Sequence, residues 1–585
     1  MKKKICFLGS SLIIAVTCAQ PVFKGDTTPT YEQTIEVYKD LSDRFLNADL
    51  YQKGPTDSGK PLHVFVITHP DMPGIQPYET KQFNKRVLLI NNAIHPGEAC
   101  GVNASIMMAR YLLEEGKAEE LLKTTVVCII PMYNIGGAIQ RNTSSRANQN
   151  GPEEYGFRGN ARGLDLNRDF AKMDSRNAQS FARIFHEWDP HVFLETHTSN
   201  GADYQYTMTL LSSQKDKLDH EVSVVMTEKV LPGLFSIMEE RSEDMVRYVN
   251  VFGRAPENGG IHGFLDPPRY SSGFAAQFQC MSFISEPHML KPFEDRVNAT
   301  FKLIQSLIEE VEENGPELAR ARYEARNAVV WQETFPLNWE KDSLASDTLQ
   351  FKGYRSERRK SEVTGKDRLF YDRSTPRTMD IPVFDQFRPI DGVFKPRFYV
   401  VPQAWQEVIT RLHLNGVKMH SLLRDTVFSS EVYYITHYGT SNSPYEGHYI
   451  HENTEVRTER RDVLLRAGDV IVPMYTAKDR FIVEVLEPTS VDSYFNWNFF
   501  DEILQQKEWF SAYVFEDEAA QMLNEDPDLR SMFEQMKADS SFAENAFTQL
   551  YWLYQQSEHY EEQHMRYPVI RIMEEHDLLT RPVRP

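Results

Sequence analysis

The feature that most restricts the fold of this chain is an alternation of short apolar runs with helical patterns in its first half. The apolar runs are residues 62–68, 86–92, 125–130, 191–196 and 281–285, and apolar residues at helical spacing occur in 31–47, 99–115, 176–188 and 292–326. Apolar strands separated by helices are typical of an α/β domain with a largely buried mixed or parallel sheet. We therefore predict such a domain, ending near residue 325.

The pattern changes after that point. Residues 327–395 contain short strand-like segments with many charges and no long helical pattern. Further β segments follow at 431–435, 470–473 and 481–485, with one helix predicted at 403–415, and residues 496–580 are helical and acidic in pattern. At roughly 100–200 residues per domain, about three domains are expected. We predict an α/β domain at 20–325, a β-rich part at 326–490 and a helical C-terminal part at 491–585.

Charge and composition exclude several classes of function. The chain has 64 Lys and Arg against 84 Asp and Glu, a formal net charge of −20. Because nucleic acids and anionic membranes select for clustered basic residues, we expect neither as the main partner. The hydrophobic fraction of 41% is too high for a chain that is disordered throughout.

The N-terminus has the pattern of an export signal. Three lysines at 2–4 precede a mostly apolar stretch at 5–16, and small residues allow cleavage after Ala19. We therefore predict a signal peptide at 1–19 and export to the periplasm or the extracellular space. The alternative is a lipid anchor on Cys18, which Thr17 fits poorly. No later segment has 18 consecutive apolar residues, so we expect a soluble mature chain without a transmembrane segment.

The three cysteines that follow the predicted signal peptide are Cys100, Cys128 and Cys280. An odd number in apolar surroundings does not indicate a disulfide framework. We predict that all three are buried as small hydrophobic residues.

Three polar side chains follow two of the predicted strands directly. His95 and Glu98 come after strand 86–92 in the turn His-Pro-Gly-Glu, and His197 comes after strand 191–196. Zinc accepts imidazole nitrogen and carboxylate oxygen, and ligand sites of α/β sheets form where the strands end. On its own the His-x-x-Glu pattern is common, and taken singly each of these residues is more often a surface or capping group.

Two further segments make the pattern specific. Residues 157–170 read Phe-Arg-Gly-Asn-Ala-Arg-Gly-Leu-Asp-Leu-Asn-Arg-Asp-Phe, and the last apolar strand ends in Glu286. In this order, the four pieces resemble the zinc carboxypeptidases of the M14 type, also called funnelin-like carboxypeptidases. The resemblance covers about residues 31–310 and suggests an exported bacterial member with a long C-terminal extension. It implies a zinc-carboxypeptidase-like mixed sheet flanked by helices.

The resemblance also implies roles for the residues at the strand ends. His95, Glu98 and His197 would bind one Zn²⁺ per chain. Glu286 would be the general base that takes a proton from water and then returns it to the leaving amine. Zinc lowers the pKa of its water to about 7, so a carboxylate can activate that water near neutral pH.

The remaining implied roles concern the substrate. Asn167 and Arg168 would hold a free C-terminal carboxylate, for which the planar fork of arginine is suited. Arg158 would polarise the scissile carbonyl. Its rivals for this role are Arg141, Arg146 and Arg162. Tyr270 is the candidate for the mobile tyrosine of the family, although Tyr204 and Tyr206 compete for that place.

The functional prediction is therefore a zinc metallocarboxypeptidase that acts on peptides with a free C-terminal carboxylate. Two alternatives stay open at this stage. One is a zinc amidohydrolase that acts on acyl-amino acids or cell-wall stem peptides. The other is a zinc-free binding protein on the same fold.

Other histidines and the C-terminal aromatic residues receive less specific interpretations. His448 and His451 are predicted to be solvated loop residues, and His559 and His564 to lie on a solvated helix face. The aromatic residues after 490 are interpreted as core. A hypothesis based on size is that residues 326–585 shape or cover the active site.

Overall fold

The structure is a computed structural model that describes residues 25–576 and 579–583. The predicted signal peptide at 1–19, with its alternative of a lipid on Cys18, lies outside these residues. Within the described part, no helix combines the length and the apolar character that a membrane span requires.

The first half of the chain alternates strands and helices as predicted. Its strands are β1 (Ala48–Pro55), β2 (Pro61–Ile67), β3 (Arg86–Asn91), β4 (Thr125–Ile130), β5 (Val192–Thr196), β6 (Met208–Ser212), β7 (Met245–Arg247), β8 (Ile261–His262) and β9 (Met281–Ser285). Its helices are α1 (Tyr31–Arg44), α2 (Pro77–Gln82), α3 (Cys100–Leu113), α4 (Ala118–Leu121), α5 (Ile135–Ala138), α6 (Arg176–Trp188), α7 (His220–Val225), α8 (Leu231–Glu240), α9 (Ser271–Ala276), α10 (Phe293–Glu313) and α11 (Gly315–Trp331). The five strands predicted from the apolar runs are confirmed as β2, β3, β4, β5 and β9.

The central sheet is mixed and has the strand order β1-β2-β4-β3-β5-β9-β6-β7. Strands β4, β3, β5 and β9 are parallel to one another, whereas the pairs β1–β2, β2–β4 and β6–β9 are antiparallel. The edge strand β7 is parallel to β6. The register sets Asn91 beside Glu195 and Thr196 beside Ser285, so β3, β5 and β9 end next to one another. The segments that follow these three strands therefore meet at one edge of the sheet.

The helical pattern predicted at 292–326 is confirmed, and the structure divides it into two helices. Helix α10 ends before Asn314, and α11 begins at Gly315 with Pro316 in its first turn. Proline lacks the N–H that would continue the hydrogen bonds of the preceding helix, and it is well placed at a helix start. Helix α11 also continues beyond the predicted end, to Trp331.

The C-terminal region, which we define as residues 332–576 and 579–583, is rich in strands. They are β10 (Thr334–Pro336), β11 (Trp339–Lys341), β12 (Asp347–Lys360), β13 (Asp367–Phe384), β14 (Phe387–Pro389), β15 (Gly392–Phe394), β16 (Phe398–Val401), β17 (His420–Leu422), β18 (Thr426–Thr440), β19 (His451–Leu465), β20 (Val470–Pro473), β21 (Ile570–Ile572) and β22 (Thr580–Pro582). Its helices are α12 (Gln406–Leu414), α13 (Asp479–Leu486), α14 (Ala512–Glu525), α15 (Pro527–Met536), α16 (Ser540–Ala543) and α17 (Ala546–Tyr554). A β-rich part and C-terminal helices are thus confirmed.

Several local predictions in this region differ from the structure. The segment 481–485 is not a strand but lies in α13, all of whose residues are buried. A short run of β-branched residues suits either element, and here helical packing decides. The final strands β21 and β22 were not predicted, because pairing with distant strands leaves no signal in the local sequence. They belong to the sheet with the strand order β19-β18-β21-β16-β20-β17-β22.

The C-terminal region packs against one face of the central sheet. Helices α1, α3 and α10 cover the other face, whereas α6 and α9 share a core with α12 and α13. Ring contacts connect the two parts, with Phe278 5.1 Å and Phe274 6.4 Å from Phe481 between ring centroids. Cys100, Cys128 and Cys280 are buried and free, as predicted.

Candidate functional site

Three buried side chains that could hold a metal ion meet beyond the ends of β3 and β5. His95, Glu98 and His197 each offer one ligand atom, and these atoms lie within 4.8 Å of one another. His95 Nδ1 is 3.3 Å from Glu98 Oε1, and His197 Nδ1 is 3.1 Å from Glu98 Oε2. A backbone hydrogen bond from Glu98 N to His95 O closes the turn. The turn therefore presents both side chains to the strand end that bears His197.

The chemistry of this donor set fits zinc. Two imidazoles and one carboxylate are typical of a catalytic zinc site, which keeps a further position open. His95 Nε2 lies 2.9 Å from Asp165 Oδ1, and an ionised carboxylate can only accept a hydrogen bond. Burial favours the neutral acid, but the neighbouring His95 and Arg158 hold the pKa of Asp165 below its ordinary value. His95 therefore donates through Nε2 and keeps its Nδ1 lone pair for a metal.

Glu286 follows β9 directly and faces the same cavity. Its backbone exchanges hydrogen bonds with Thr209 of β6, which anchors the residue between two strands. Removal from water raises the pKa of the Glu286 carboxyl to about 8; the charge of His197 opposes this shift, and that of Glu98 adds to it. A cation in the cavity favours the ionised form.

One cavity of about 340 Å³ joins most of the residues that the sequence singled out. It is lined by His95, Glu98, Arg146, Arg158, Asn167, Arg168, His197, Tyr270 and Glu286, together with residues such as Tyr248, Phe264 and Ile284. The predicted metal ligands, base and substrate-binding residues thus lie around one space, although they are up to 191 positions apart in the chain.

The arginines differ in their surroundings. Arg158 lies 2.7 Å from Asp165 Oδ2 and 3.6 Å from Glu98 Oε1, and its side chain is 42% exposed. Arg146 lies 2.9 Å from Glu98 Oε1 and is 15% exposed. Arg141 and Arg162 bond instead to Glu154 and to the backbone of Asp174. Arg158 therefore has the more open access to the cavity, and Arg146 is committed to Glu98.

Asn167 and Arg168 lie on a short 3₁₀ turn, Leu166–Arg168. The side chain of Asp165 accepts a hydrogen bond from Asn167 N, which caps this turn. The guanidinium of Arg168 lies 4.3 Å from the ring centre of Tyr270. Both basic and aromatic groups thus border the cavity on the side of the turn.

The rival tyrosines lie elsewhere. Tyr204 and Tyr206 are buried against Phe351 of β12 and belong to the core beneath the β12–β13 hairpin. Tyr248, which was not predicted, lines the cavity instead. It follows β7, a short strand that the sequence pattern does not reveal.

The prediction for the histidines at 448 and 451 is wrong, because both side chains are largely withdrawn from solvent, with 18% and 3% of their surface exposed. His448 Nε2 lies 2.7 Å from Asp174 Oδ2, and the His448 ring packs 5.5 Å from that of Trp497. His451 is buried between Thr440 and Asp501. His559 pairs with Glu518 on the surface and is 52% exposed, as predicted. The predicted helix is wrong, because α17 ends at Tyr554, and His564 is half-buried against Tyr560.

Comparison with known proteins adds independent information. Residues 35–215 match the family model described as zinc carboxypeptidase. We call the first half of the chain, which includes this match, the zinc carboxypeptidase domain. "Carboxypeptidase 2" of Trichophyton rubrum is 20% identical over 437 residues, covering 71% of this chain and 74% of the relative. "Carboxypeptidase 2" of Trichophyton equinum is also 20% identical, over 450 residues with the same coverage.

Among solved structures, the chain is similar to metallo-carboxypeptidases of two bacteria. A metallo-carboxypeptidase from Burkholderia cenocepacia is 16% identical with a TM-score of 0.37, covering 48% of this chain and 69% of that chain. A metallo-carboxypeptidase from Pseudomonas aeruginosa, in complex with (2-guanidinoethylmercapto)succinic acid, is 15% identical with a TM-score of 0.36, covering 49% and 69%.

The match supports a metallocarboxypeptidase function, and Zn²⁺ is the metal of the matched family. The matched residues include the His95–Glu98–His197 group, which is a possible site for the ion. They also include Arg158, Asn167 and Arg168, whereas Tyr270 and Glu286 lie beyond the matched range.

The contact between Asp165 and His95 leads to a prediction about metal affinity in the zinc carboxypeptidase domain. Asp165→Asn removes the negative charge that orients His95, and we expect the affinity for Zn²⁺ to fall by about 10–100-fold. Competition with a chelator of known affinity measures this change. Asp71→Asn, at an aspartate whose side chain is 89% exposed, serves as the control and should bind zinc like the wild type. Equal affinities in all three proteins would contradict the assignment.

Proposed function

We propose that this metallocarboxypeptidase removes single residues from the free C-terminal ends of peptides. The observation that carries the proposal is the cavity itself, in which a metal-ligating group, a carboxylate and arginine side chains face one another. Such a site can activate water, position it and bind an anionic chain end. We further propose that the protein is exported, which rests on the sequence of residues 1–19.

Each group in the cavity has a proposed task in hydrolysis. His95, Glu98 and His197 would hold Zn²⁺, which supplies Lewis-acid polarisation of the peptide carbonyl and a more acidic water. Glu286 removes a proton from the attacking water and then gives it to the nitrogen of the leaving amine. Arg158 reaches into the cavity and stabilises the negative charge that develops on the carbonyl oxygen.

The remaining groups are proposed to bind the substrate. The guanidinium of Arg168 pairs with the C-terminal carboxylate, and the amide of Asn167 donates a further hydrogen bond. Tyr270, whose ring lies against Arg168, covers this subsite and contacts the terminal residue. The substrate is therefore a peptide with a free C-terminal carboxylate.

Matched peptide libraries with free and with amidated C-termini test the proposal. We expect loss of single residues from the free ends, no cleavage of amidated ends, and inhibition by a zinc chelator. No cleavage of either library by a protein that contains zinc would favour an acyl-amide or cell-wall substrate. No cleavage by a protein without zinc would favour a binding protein.

A substitution at Arg168 tests the carboxylate subsite. Hydrogen bonds to charged groups contribute about 1.5–3 kcal/mol, so Arg168→Ala should raise KM for free-ended peptides by about 10–100-fold. The measurement is KM for the peptide that the library identifies as the best substrate. Arg162→Ala is the matched control, since Arg162 lies on the same segment but bonds to the backbone of Asp174. An unchanged KM in Arg168→Ala would refute this role.

A further inference from the structure

A turn from the C-terminal region reaches the zinc carboxypeptidase domain at its substrate side. Tyr445 and His448 exchange backbone hydrogen bonds between N and O, and the two residues between them form the tip. Glu446 has φ of 50° and Gly447 has φ of 87°, as in the tight two-residue turns of β-hairpins. We call residues 445–448 the docking turn. Its backbone conformation fixes where its side chains lie.

The side chains of the docking turn contact the segment that bears the substrate-binding residues. Arg168 Nε donates a hydrogen bond to the hydroxyl oxygen of Tyr445 at 3.0 Å. The backbone N–H of Asp165 donates to Glu446 Oε2 at 2.7 Å. His448 Nε2 lies 2.7 Å from Asp174 Oδ2. The docking turn therefore contacts both ends of the segment 165–174, which bears Asn167 and Arg168. Through Tyr445 it also contacts the guanidinium of Arg168 directly.

The ring of Tyr445 packs against other residues of the C-terminal region and against Arg269. Its ring stacks on that of Trp497, with 6.2 Å between centroids and 24° between planes. The guanidinium of Arg269 lies 5.0 Å from the Trp497 ring and 5.7 Å from that of Tyr445. Asp492 pairs with Arg269 and accepts a hydrogen bond from Trp497 Nε1. This packing leaves the Tyr445 hydroxyl in a defined position.

The hydrogen bonds of Arg168 show what that hydroxyl does. Nε donates to Tyr445, one terminal nitrogen donates to Asn167 O at 2.8 Å, and the guanidinium face lies on the ring of Tyr270. A guanidinium has five N–H donors, so donors on the terminal nitrogens stay free for a ligand. A free arginine side chain has a large rotamer entropy, much of which these contacts remove before a ligand arrives.

We infer that Tyr445 is a positioning residue for substrate carboxylate binding: its hydroxyl orients the guanidinium of Arg168 toward the cavity. The carboxylate subsite of the zinc carboxypeptidase domain is then completed by the C-terminal region. This inference rests on the proposed function, because it assumes that Arg168 binds the free chain end. It also gives the C-terminal region a part in substrate recognition.

Tyr445→Phe in the full chain is the test, since it removes only the hydroxyl. Loss of one hydrogen bond that orients a charged group should raise KM for a free-ended peptide by about three- to tenfold. The value of kcat should stay within about twofold, because Tyr445 does not line the cavity of the reacting groups. Zinc content and melting temperature should match the wild type. Tyr449→Phe is the control, at an exposed tyrosine next to the docking turn.

A double-mutant cycle separates positioning from general stability. Arg168→Lys removes the Nε–H that Tyr445 accepts, so adding Tyr445→Phe to this variant should cause no further rise in KM. Equal effects of Tyr445→Phe in both backgrounds would overturn the inference. So would a change in kcat and melting temperature without a change in KM.

A binding measurement distinguishes failure of this inference from failure of the proposed function. Glu286→Gln protein with zinc is titrated with benzoyl-glycyl-phenylalanine and with its C-terminal amide. We expect tighter binding of the free acid, and a three- to tenfold loss of this preference when Tyr445→Phe is added. If the acid and the amide bind equally, both proposals are wrong. If the preference exists but Tyr445→Phe leaves it unchanged, only the inference about Tyr445 is wrong.

Discussion

Replacing Glu286 by glutamine is expected to lower kcat by about 10²–10⁴-fold, the range that general acid–base catalysis contributes. Glutamine has the same shape and can fill the same space beside β9, but its amide cannot take a proton from water near neutral pH. The metal ligands stay in place, so zinc content should equal that of the wild type. Steady-state kinetics on a free-ended peptide and metal analysis of the same preparation measure both quantities.

The control for this substitution is Glu153→Gln, at an exposed glutamate outside the cavity. It makes the same chemical change and should retain wild-type kcat. Full activity in Glu286→Gln would remove Glu286 from the role of base. If the variant loses zinc together with activity, Glu286 acts through the metal site. In that case another group must transfer the proton.

Removing one metal ligand is expected to abolish activity altogether. His197→Ala leaves only His95 and Glu98, and we expect zinc affinity to fall by more than the 10–100-fold that is typical of an outer-shell change. Purified His197→Ala protein should contain little zinc and cleave no peptide. A chelator should inactivate the wild type in the same way, and added Zn²⁺ should restore its activity but not that of the variant.

The fold itself should survive this change. The metal group lies at one edge of a sheet whose two faces are each covered by a large apolar core. We expect the melting temperature to fall only by the amount that bound zinc contributes through mass action. His559→Ala, at an exposed histidine, is the control and should keep both zinc and activity. Activity in zinc-free His197→Ala protein would contradict a metal-dependent reaction.

The sequence by itself determined the parts of this protein that are encoded locally. The apolar runs predicted β2, β3, β4, β5 and β9, because residues buried on both faces of a sheet leave a continuous hydrophobic signal. The order of the His-Pro-Gly-Glu turn, the segment 157–170 and Glu286 was sufficient to predict the zinc carboxypeptidase domain. These signals survive in the sequence because each depends on neighbours within a few positions.

Only the tertiary structure decided the contacts between distant parts. The run at 481–485 becomes helical because it is packed on all sides. Arg146 pairs with Glu98, although nothing in the sequence distinguishes it from Arg141, Arg158 and Arg162. Tyr445 meets Arg168 across 277 positions of the chain. No local pattern marks such a pair, since its energy comes from a hydrogen bond that exists only when the C-terminal region packs on the domain. The sequence therefore predicted residues that the fold brings to one cavity, whereas it did not indicate the contacts that orient them.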